Sequence, residues 1–327
     1  SLAFALSVFP AASNSPYNDP VVPPSPDYLL NNAVQLGGSG DHNCVIDGSG
    51  QVFCWGYNSY GQIGNGQNTP QPIPTLVIGL NNAISVAPGY EHTCILTSQG
   101  SVRCWGRNSM GQLGDGTNIN RQEPVTASGL SSGVSKIYAR AHHTCAITNM
   151  GVAKCWGWNN QGQLGIGNFD NANLPTNVVN LNESVTQISL GDYHSCALTA
   201  SGGVKCWGRN ELGELGNGSF SASSTPVSVS GLNGEVTEIA SGVHHTCALM
   251  ATGNVKCWGS NDHKQLGTSA VSFSSTPVEV VGLSDVVALS AGVQHTCAII
   301  NDGTVKCWGA NYRAQLGYYD WYSERAN

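Results

Sequence analysis

Residues 295–309, HTCAIINDGTVKCWG, decide the fold of this chain. Two runs rich in β-forming residues are separated by Asn-Asp-Gly at residues 301–303, a three-residue connection that ends in glycine. Such a connection is typical of a β-hairpin, because its last residue takes a positive φ that glycine adopts most readily. The stretch therefore predicts two antiparallel strands in which Cys297 faces Cys307.

The same frame occurs six times, at intervals of about 51 residues. Every copy has glycine at the end of the turn and a Cys-Trp-Gly sequence after it. Two further apolar runs precede each hairpin, for example residues 278–281 and 286–290. About four strands per unit correspond to one blade of a propeller. The sequence therefore predicts an all-β fold, a β-propeller of six blades. The alternative has seven, with one completed by the termini or by a neighbouring subunit.

The cysteines form six pairs, each separated by ten positions along the chain. Residues opposed across a hairpin have Cβ atoms about 4.5–5.5 Å apart, so a small local adjustment allows a disulfide. Zinc sites favour other spacings, and no C-x-x-C motif is present. We predict the disulfides Cys44–Cys54, Cys94–Cys104, Cys145–Cys155, Cys196–Cys206, Cys247–Cys257 and Cys297–Cys307. Regular disulfides indicate an oxidising location, and we expect an extracellular or cell-surface protein.

Residues 21–317 resemble the RCC1-like repeat family, whose units carry the frame H-[ST]-x-A-L…G-x-V-x-x-W-G-x-N-x-x-G-Q-L-G. The second copy shows it as His92-Thr93-Cys94 followed by Cys104-Trp105-Gly106, and then by GQLG at 111–114. The resemblance implies a β-propeller, usually of seven blades, that serves mainly as an interaction platform. The cysteine pairs depart from the nuclear members of the family. The nucleotide exchange and chromatin docking known in that family are therefore not expected of this acidic chain.

Composition excludes two classes of partner. The net charge is −7 and charged residues make up 10% of the chain, without any basic run. A nucleic-acid surface needs clustered Lys and Arg, so we expect no nucleic-acid partner. The longest apolar stretch, Leu2–Ala12, is interrupted by serine and proline and is shorter than the roughly 18 residues of a membrane span. We therefore expect no membrane span.

Each unit also carries a histidine and a tryptophan that invite a functional interpretation. The histidines are His42, His92, His143, His194, His245 and His295. They could form a catalytic or metal-binding array, but each faces a glycine across its hairpin, which favours a flat imidazole bonded to a neighbouring blade. The Cys-Trp-Gly tryptophans indicate packing between blades, with sugar stacking as the alternative. The sequence has no nucleophile elbow, phosphate loop or metal motif, so we expect no enzyme activity, catalytic residue, cofactor or metal.

Two loop asparagines complete the candidate sites, and two loop acids suggest none. Glu211 and Glu214 lie in one loop without an evident partner. Asn182 and Asn217 each begin an Asn-x-Ser sequence, which fits the N-glycosylation acceptor pattern of a secreted glycoprotein.

The two ends of the chain fall outside the repeats. Residues 1–9 alternate bulky and small side chains, with one bulky face formed by Leu2, Phe4, Leu6 and Val8. This pattern predicts a β-strand, with the remnant of a signal peptide as the alternative. Residues 10–26 are rich in proline and form an extended linker that overlaps the first repeat. Residues 318–327 are an aromatic C-terminal tail.

From these features we expect a non-enzymatic extracellular structural protein. Its disulfide-linked propeller would assemble with copies of itself into a fibre or surface layer. The reason is that the apolar strand at 1–9, on the long spacer at 10–26, can add to the sheet edge of a neighbouring subunit. The alternative is an extracellular binding propeller, either an enzyme inhibitor or a lectin-like module. Its partner would be another extracellular protein or a glycan.

Overall fold

The structure is a computed structural model that describes residues 30, 32–232 and 235–317. Within these residues it contains 23 β-strands and no helix, and no segment of them is a helix that could cross a membrane. The strands of the first two sheets are β1 (Ala33–Ser39), β2 (His42–Asp47), β3 (Val52–Gly56), β4 (Gln71–Leu76), β5 (Ala83–Pro88), β6 (His92–Thr97), β7 (Val102–Gly106) and β8 (Arg121–Thr126). Those of the next two are β9 (Val134–Arg140), β10 (His143–Thr148), β11 (Ala153–Gly157), β12 (Ala172–Asn177), β13 (Val185–Leu190), β14 (His194–Thr199), β15 (Val204–Gly208) and β16 (Ser223–Ser228). Those of the last two are β17 (Val236–Ser241), β18 (His245–Met250), β19 (Val255–Ser260), β20 (Phe273–Glu279), β21 (Val286–Ala291), β22 (His295–Ile300) and β23 (Val305–Gly309).

These strands form six sheets in which neighbours in sequence are neighbours in space. Five sheets have four strands, and the sixth has the three strands β21–β22–β23. The predicted all-β propeller fold with about four strands per repeat is confirmed. The predicted strand at 1–9, the linker at 10–26 and the tail at 318–327 all lie outside the described residues.

The chain divides into two compact units. The first comprises the described residues up to Thr144 together with Asn173–Pro175, and the second comprises Cys145–Ala172 and the described residues from Thr176 onward. The first unit contains the sheets β1–β4 and β5–β8. The second contains the sheets β13–β16, β17–β20 and β21–β23, and the strands of the third sheet are divided between the units.

The hairpin between the second and third strands of each sheet has the register that its turn residues predict. In the sixth sheet Cys297 faces Cys307 and His295 faces Gly309. The register shifts at a bulge between the first and second strands, as between Val286 and Ala288. A bulge increases the local twist of a strand, which suits the strongly twisted sheets of a propeller.

The core lies between successive sheets of each unit. In the second unit, Cys206 and Leu215 of one repeat pack with Ile239, Ala248 and Trp258 of the next in a single buried cluster. The central strands β6, β14 and β18 are buried along their whole length, because both faces of their sheets are covered. Each fully buried Leu, Ile or Val side chain contributes about 1.5–3 kcal/mol to stability.

The outer strand of each four-stranded sheet carries a proline at the corresponding position: Pro74, Pro124, Pro175, Pro226 and Pro277. Proline has no N–H to offer to another strand and is confined to sheet edges, so it limits pairing with a further chain.

The loop after the third strand lies close against the outer strand of the next sheet. In the second unit Gly218 N–H donates to Ser275 O at 2.8 Å. A Cβ on Gly213, whose φ is +84°, would lie 2.5 Å from the Cα of Ser275. Gly231 also has a positive φ, +72°, but nothing lies within 4 Å of the position its Cβ would take.

These two glycines give a matched test of the contact between sheets. We expect Gly231→Ala to lower the free energy of unfolding by about 1–2 kcal/mol, the usual cost of a positive φ for a residue with a Cβ. We expect Gly213→Ala to cost at least about twice as much, because the backbone of the next sheet must also move. Urea unfolding of both variants measures the difference. Equal losses would contradict the close packing.

Candidate functional site

The structure joins the six cysteine pairs as disulfides, each within its own hairpin, with sulfur–sulfur distances of 2.06–2.12 Å. Cys196 and Cys206, for example, face each other across β14 and β15 and are fully buried. A bridge of this loop length contributes about 2–3 kcal/mol by restricting the unfolded chain. Within the described residues, no group of three or more His, Cys, Asp or Glu side chains is placed to hold a metal ion.

The six repeat histidines are buried, and four of them (His42, His92, His194 and His245) bond to a hydroxyl of the next repeat. His42 Nε2 lies 2.8 Å from Thr93 Oγ1, and His194 Nε2 lies 2.8 Å from Thr246 Oγ1. Thr93 Oγ1 donates its single proton to Gln62 O at 3.0 Å. The hydroxyl can therefore only accept from the imidazole, so His42 carries its proton on Nε2. The sequence predicted such bonds to a neighbouring repeat.

In four of the six repeats the glycine that makes room for the imidazole (Gly89, Gly191, Gly242 and Gly292) is different from the one that the sequence analysis named. A Cβ on Gly89 would lie 2.2 Å from His92 Cε1. The facing residue, Gly106, is needed for another reason: its Cβ would lie 2.6 Å from Glu91 O. The space for the ring is thus left by the glycine three residues before the histidine. This glycine precedes the hairpin, so the hairpin register does not reveal its role.

Burial keeps His42 and His92 neutral. It lowers the pKa of His42 to about 4, although a hydrogen bond with the backbone of Tyr90 acts in the opposite direction. Burial also lowers the pKa of His92 well below its ordinary value, and neighbouring histidines add to this effect.

The Cys-Trp-Gly tryptophans serve the same contact between repeats. Trp207 Nε1 donates to Gln163 O at 2.8 Å, and Trp258 Nε1 donates to Glu214 O at 2.9 Å. Trp105, Trp156, Trp207, Trp258 and Trp308 are fully buried, whereas Trp55 of the first copy is half-buried. The buried five have no face to offer to a sugar, so sugar stacking on them is excluded.

A buried asparagine fixes the loop after each third strand. Asn210 Oδ1 accepts from Leu215 N–H at 2.9 Å, while its Nδ2 donates to Ser219 O at 2.9 Å and to Ser221 O at 3.0 Å. Residues 209–216 therefore have a defined backbone, which places their side chains at the end of the sheet where the repeat histidine begins the second strand. We call this the histidine end of a sheet.

In the first unit, the histidine ends carry a cluster of aromatic and charged side chains. The guanidinium of Arg107 lies over the ring of Tyr60, with its carbon 5.1 Å from the ring centroid, and pairs with Glu91 at 2.5 Å. Glu91 Oε2 also lies 4.0 Å from His142 Nδ1, and the His142 ring makes an edge contact with Tyr90 at 5.7 Å. The Arg107, Glu91 and His142 side chains are each about a quarter exposed.

A second cluster lies at the histidine ends of the second unit. Tyr193 stacks on His244, with 5.5 Å between centroids and 3° between planes. Trp158 makes an edge contact with Tyr193 at 5.5 Å, and the guanidinium carbon of Arg209 lies 5.7 Å from the Tyr193 centroid. Sequence reasoning missed both clusters, because their members come from different repeats and lie outside the repeated frame.

The acidic residues of this loop do have partners, so the sequence interpretation of Glu211 and Glu214 as isolated is wrong. Arg209 Nη2 pairs with Glu211 Oε2 at 2.5 Å. Glu214 Oε1 lies 3.7 Å from Arg209 Nε and 3.5 Å from His244 Nδ1. The partners come from the preceding residues and from the next repeat, which only the fold brings together.

The remaining predicted residues are placed as follows. Asn182 is exposed, while Asn217 is half-buried and its Oδ1 accepts from Ser219 N–H at 3.1 Å. The predicted assembly residues Leu2, Phe4, Leu6 and Val8 lie outside the described residues.

Comparison with known proteins gives matches over most of the chain. A family profile described as "Regulator of chromosome condensation (RCC1) repeat" matches residues 49–96, 99–147, 155–198, 201–249 and 252–299. Human E3 ubiquitin-protein ligase HERC2 is 32% identical over 246 residues, which cover 74% of this chain and 4% of HERC2. The RCC1 domain-containing protein RUG3, mitochondrial, of Arabidopsis thaliana is 32% identical over 260 residues, which cover 77% of this chain and 47% of that protein.

The chain thus spans less than half the length of these relatives. Among solved structures, human WBSCR16 matches with a TM-score of 0.80 at 22% identity, covering 91% of this chain and 81% of that one. This likeness shows the fold.

The buried histidines predict a loss of stability in acid. Below pH 6.5 the unfolded chain binds protons that the folded chain excludes, so the free energy of unfolding falls as pH falls. Each such histidine contributes up to about 1.4 kcal/mol per pH unit, and for His42 the effect continues down to about pH 4.

We expect His92→Gln to be less stable than the wild type at pH 7.5, because it disturbs the bond to Thr144 Oγ1, 2.9 Å from His92 Nε2. The slope of its free energy of unfolding against pH should also be smaller than that of the wild type. The expected reduction corresponds to about one bound proton. Denaturant unfolding between pH 7.5 and 5 measures both effects. An unchanged slope would show that His92 is not held neutral.

Proposed function

Because the chain belongs to the RCC1 repeat family, we propose that it is a non-enzymatic binding propeller that docks protein partners in an oxidising compartment. One observation carries the proposal: both units present Tyr, Arg and His side chains in mutual contact at the histidine ends of their sheets, and the second unit adds Trp158. The opposite ends carry hairpin turns such as Asp47–Gly50 and Asn301–Gly303, which are built of small and polar residues.

The composition of the two clusters favours a protein partner. Tyr, Trp and Arg are the residues most enriched where protein interfaces gain their binding energy. Here they are held by their neighbours before any partner arrives, since Arg107 contacts both Tyr60 and Glu91. Side chains already fixed in place lose less conformational entropy on binding.

The repeated polar residues support a role without catalysis. The imidazole of His92 is fully buried, lies 2.9 Å from Thr144 Oγ1 and has a pKa well below the ordinary value because of burial. Such a group is not available to exchange protons with a substrate near neutral pH. The histidines thus contribute to the fold.

The disulfides support an extracellular or cell-surface location. All twelve cysteines are paired within hairpins, and such bridges persist where the surroundings are oxidising. Family membership does not decide the compartment, because the name of RUG3 places that relative in mitochondria.

Removal of the aromatic side chains tests the docking surface. The purified chain is used to capture proteins from the secreted fraction of its source, and each recovered protein is then purified and its affinity measured directly. We expect the double variant Trp158→Ser, Tyr193→Ser to bind at least about tenfold more weakly, while it stays folded by circular dichroism. The matched control is Met150→Ser, at an 80% exposed position in a hairpin turn. A control that binds as weakly as the double variant would contradict the proposal, and so would full affinity in the double variant.

Self-assembly through the N-terminal strand is a second candidate, and one feature of the sixth sheet favours it. Within the described residues no strand pairs with the outer side of β23, where the other five sheets have an outer strand with its proline. The edge includes Val305, which is 61% exposed, and the strand contains no proline. An exposed edge of this kind accepts a further strand through main-chain hydrogen bonds. Residues 1–9 of another copy are the occupant that the sequence analysis predicts.

Electron microscopy and hydrogen exchange test this second candidate. We expect the full chain to form filaments and the chain without residues 1–9 to remain a folded monomer. A synthetic peptide of residues 1–9 should slow amide exchange in the Val305–Gly309 segment of that monomer. Filaments formed by the shortened chain would contradict strand exchange, and so would an unfolded shortened chain. Unchanged exchange would instead favour closure of this edge by the protein's own terminus.

A further inference from the structure

Glu214 is unusual among the six repeats. It occupies the position that the other copies fill with glutamine: Gln62, Gln112, Gln163, Gln265 and Gln315. Its Oε2 does what the glutamine oxygen does elsewhere, since it accepts from the N–H two residues earlier, Leu212 N, at 2.8 Å. The corresponding distance from Gln161 N to Gln163 Oε1 is 2.9 Å. The fold therefore needs an acceptor at this position and not a charge.

The second carboxylate oxygen of Glu214 has no role in the fold. The side chain is 0% exposed, and Oε1 accepts no hydrogen bond. Burial raises the pKa of this carboxyl, but His244, the charge of His194 and backbone N–H groups together outweigh burial, so the pKa lies below its ordinary value. A buried carboxylate oxygen that has only longer ionic contacts, here with Arg209 and His244, and no hydrogen bond is costly, and groups of this kind concentrate at binding sites.

Glu214 acts on the surface through His244. Its Oε1 lies 3.5 Å from Nδ1 of that imidazole, which favours the tautomer with the proton on Nδ1. Nε2 is then a lone-pair acceptor, and it makes no hydrogen bond with the described residues. The ring is a quarter exposed and is held flat against Tyr193. The acceptor therefore has a fixed direction.

The groups around this acceptor suit a cation. Glu211 is 69% exposed, and with Glu214 it outnumbers the single cation, Arg209. Trp158 and Tyr193 are half-buried and add aromatic rings to the same surface. The Arg209–Glu211 pair lies near solvent, where such pairs contribute about 0–1 kcal/mol, so an incoming cation can share the Glu211 carboxylate.

We propose that Tyr193, Glu211 and His244, with Glu214 as their positioning residue, form a recognition site for an arginine side chain of a protein partner. A guanidinium is planar, carries several N–H donors and stacks on aromatic rings, so it matches two acceptors beside Tyr193 better than an ammonium does. The inference rests on the proposed docking function and names the chemistry that one cluster recognises.

The chain itself supplies the test variant. Glu214→Gln restores the residue of the other five repeats, so the fold accommodates it and only the carboxylate is lost. The control is Glu279→Gln, which makes the same change of charge at an exposed position elsewhere in the second unit. The probe is the acetylated tripeptide amide Gly-Arg-Gly, compared with Gly-norleucine-Gly and Gly-Glu-Gly.

Binding is followed by NMR at the indole of Trp158 and the imidazole of His244. We expect saturable binding of the arginine peptide alone, weakened at least about fivefold by Glu214→Gln and unchanged by Glu279→Gln. The ¹⁵N shifts of His244 should also change, because loss of the carboxylate releases the Nδ1–H tautomer. A purely structural role for Glu214 would not produce that change.

Three results would overturn the proposal: equal affinity in the wild type and Glu214→Gln, binding of the glutamate peptide in place of the arginine peptide, or no binding of any peptide. None of these decides the docking function itself. The docking function is tested separately, by the affinity of protein partners for the Trp158→Ser, Tyr193→Ser variant. The failure of one proposal is therefore distinguishable from the failure of the other.

Discussion

One backbone carbonyl, at Gln62, Gln163 and Gln265 of three repeats, accepts two buried hydrogen bonds from the next repeat, and the stacking of the sheets depends on it. Gln163 O accepts from Ser195 Oγ at 2.8 Å and from Trp207 Nε1 at 2.8 Å. The first unit repeats the arrangement at Gln62 O. A buried carbonyl or indole N–H without a partner costs about 1–3 kcal/mol. The loop that carries the glutamine must therefore lie against the following sheet, and the histidine–hydroxyl bond extends the same network.

This network explains why the most regular residues of the sequence are not the functional ones. The repeated histidine, threonine or serine, tryptophan, asparagine and glutamine satisfy one another inside the protein. The residue before each histidine and the residue after each Trp-Gly point away from that network and differ between copies, as Glu91, Tyr193 and His244 do. A change at such a position alters the surface without removing a buried hydrogen bond. Binding specificity can therefore vary while the fold stays constant.

Glu214 belongs both to the repeated residues of the buried network and to the residues that make one surface differ from another. Its carbonyl accepts from Trp258 Nε1 at 2.9 Å and its Oε2 accepts from Leu212 N–H, as the fold requires. Its Oε1 carries a charge that no other repeat has at this position. Because the surrounding loop is fixed by Asn210, the carboxylate cannot move out to water. The favourable interactions of the rest of the repeat offset the free energy that its burial costs. The buried carboxylate orients the imidazole of His244 at the surface.

By itself the sequence determined the strands, the hairpin register and the pairing of the cysteines. These features are local: a turn of fixed length ending at Gly303 sets which residues face each other, and six copies repeat the same information. The sequence also indicated that the histidines are structural. It named the wrong glycine for their space, because the distance between Gly89 and His92 depends on how the chain bends between two strands.

Only the tertiary structure decided which side chains meet at the histidine ends. Arg209 and Glu214 come from one repeat, His244 from the next and Trp158 from the one before. Glu214 replaces a glutamine of the repeated frame, whereas the other three lie outside it. No spacing rule links Glu214 with His244, 30 positions away, or Trp158 with Tyr193, 35 positions away. Their contact follows from the stacking of successive sheets, which brings equivalent loops side by side. That is why Glu214 has no visible partner in the sequence and lies 3.5 Å from His244 in the folded protein.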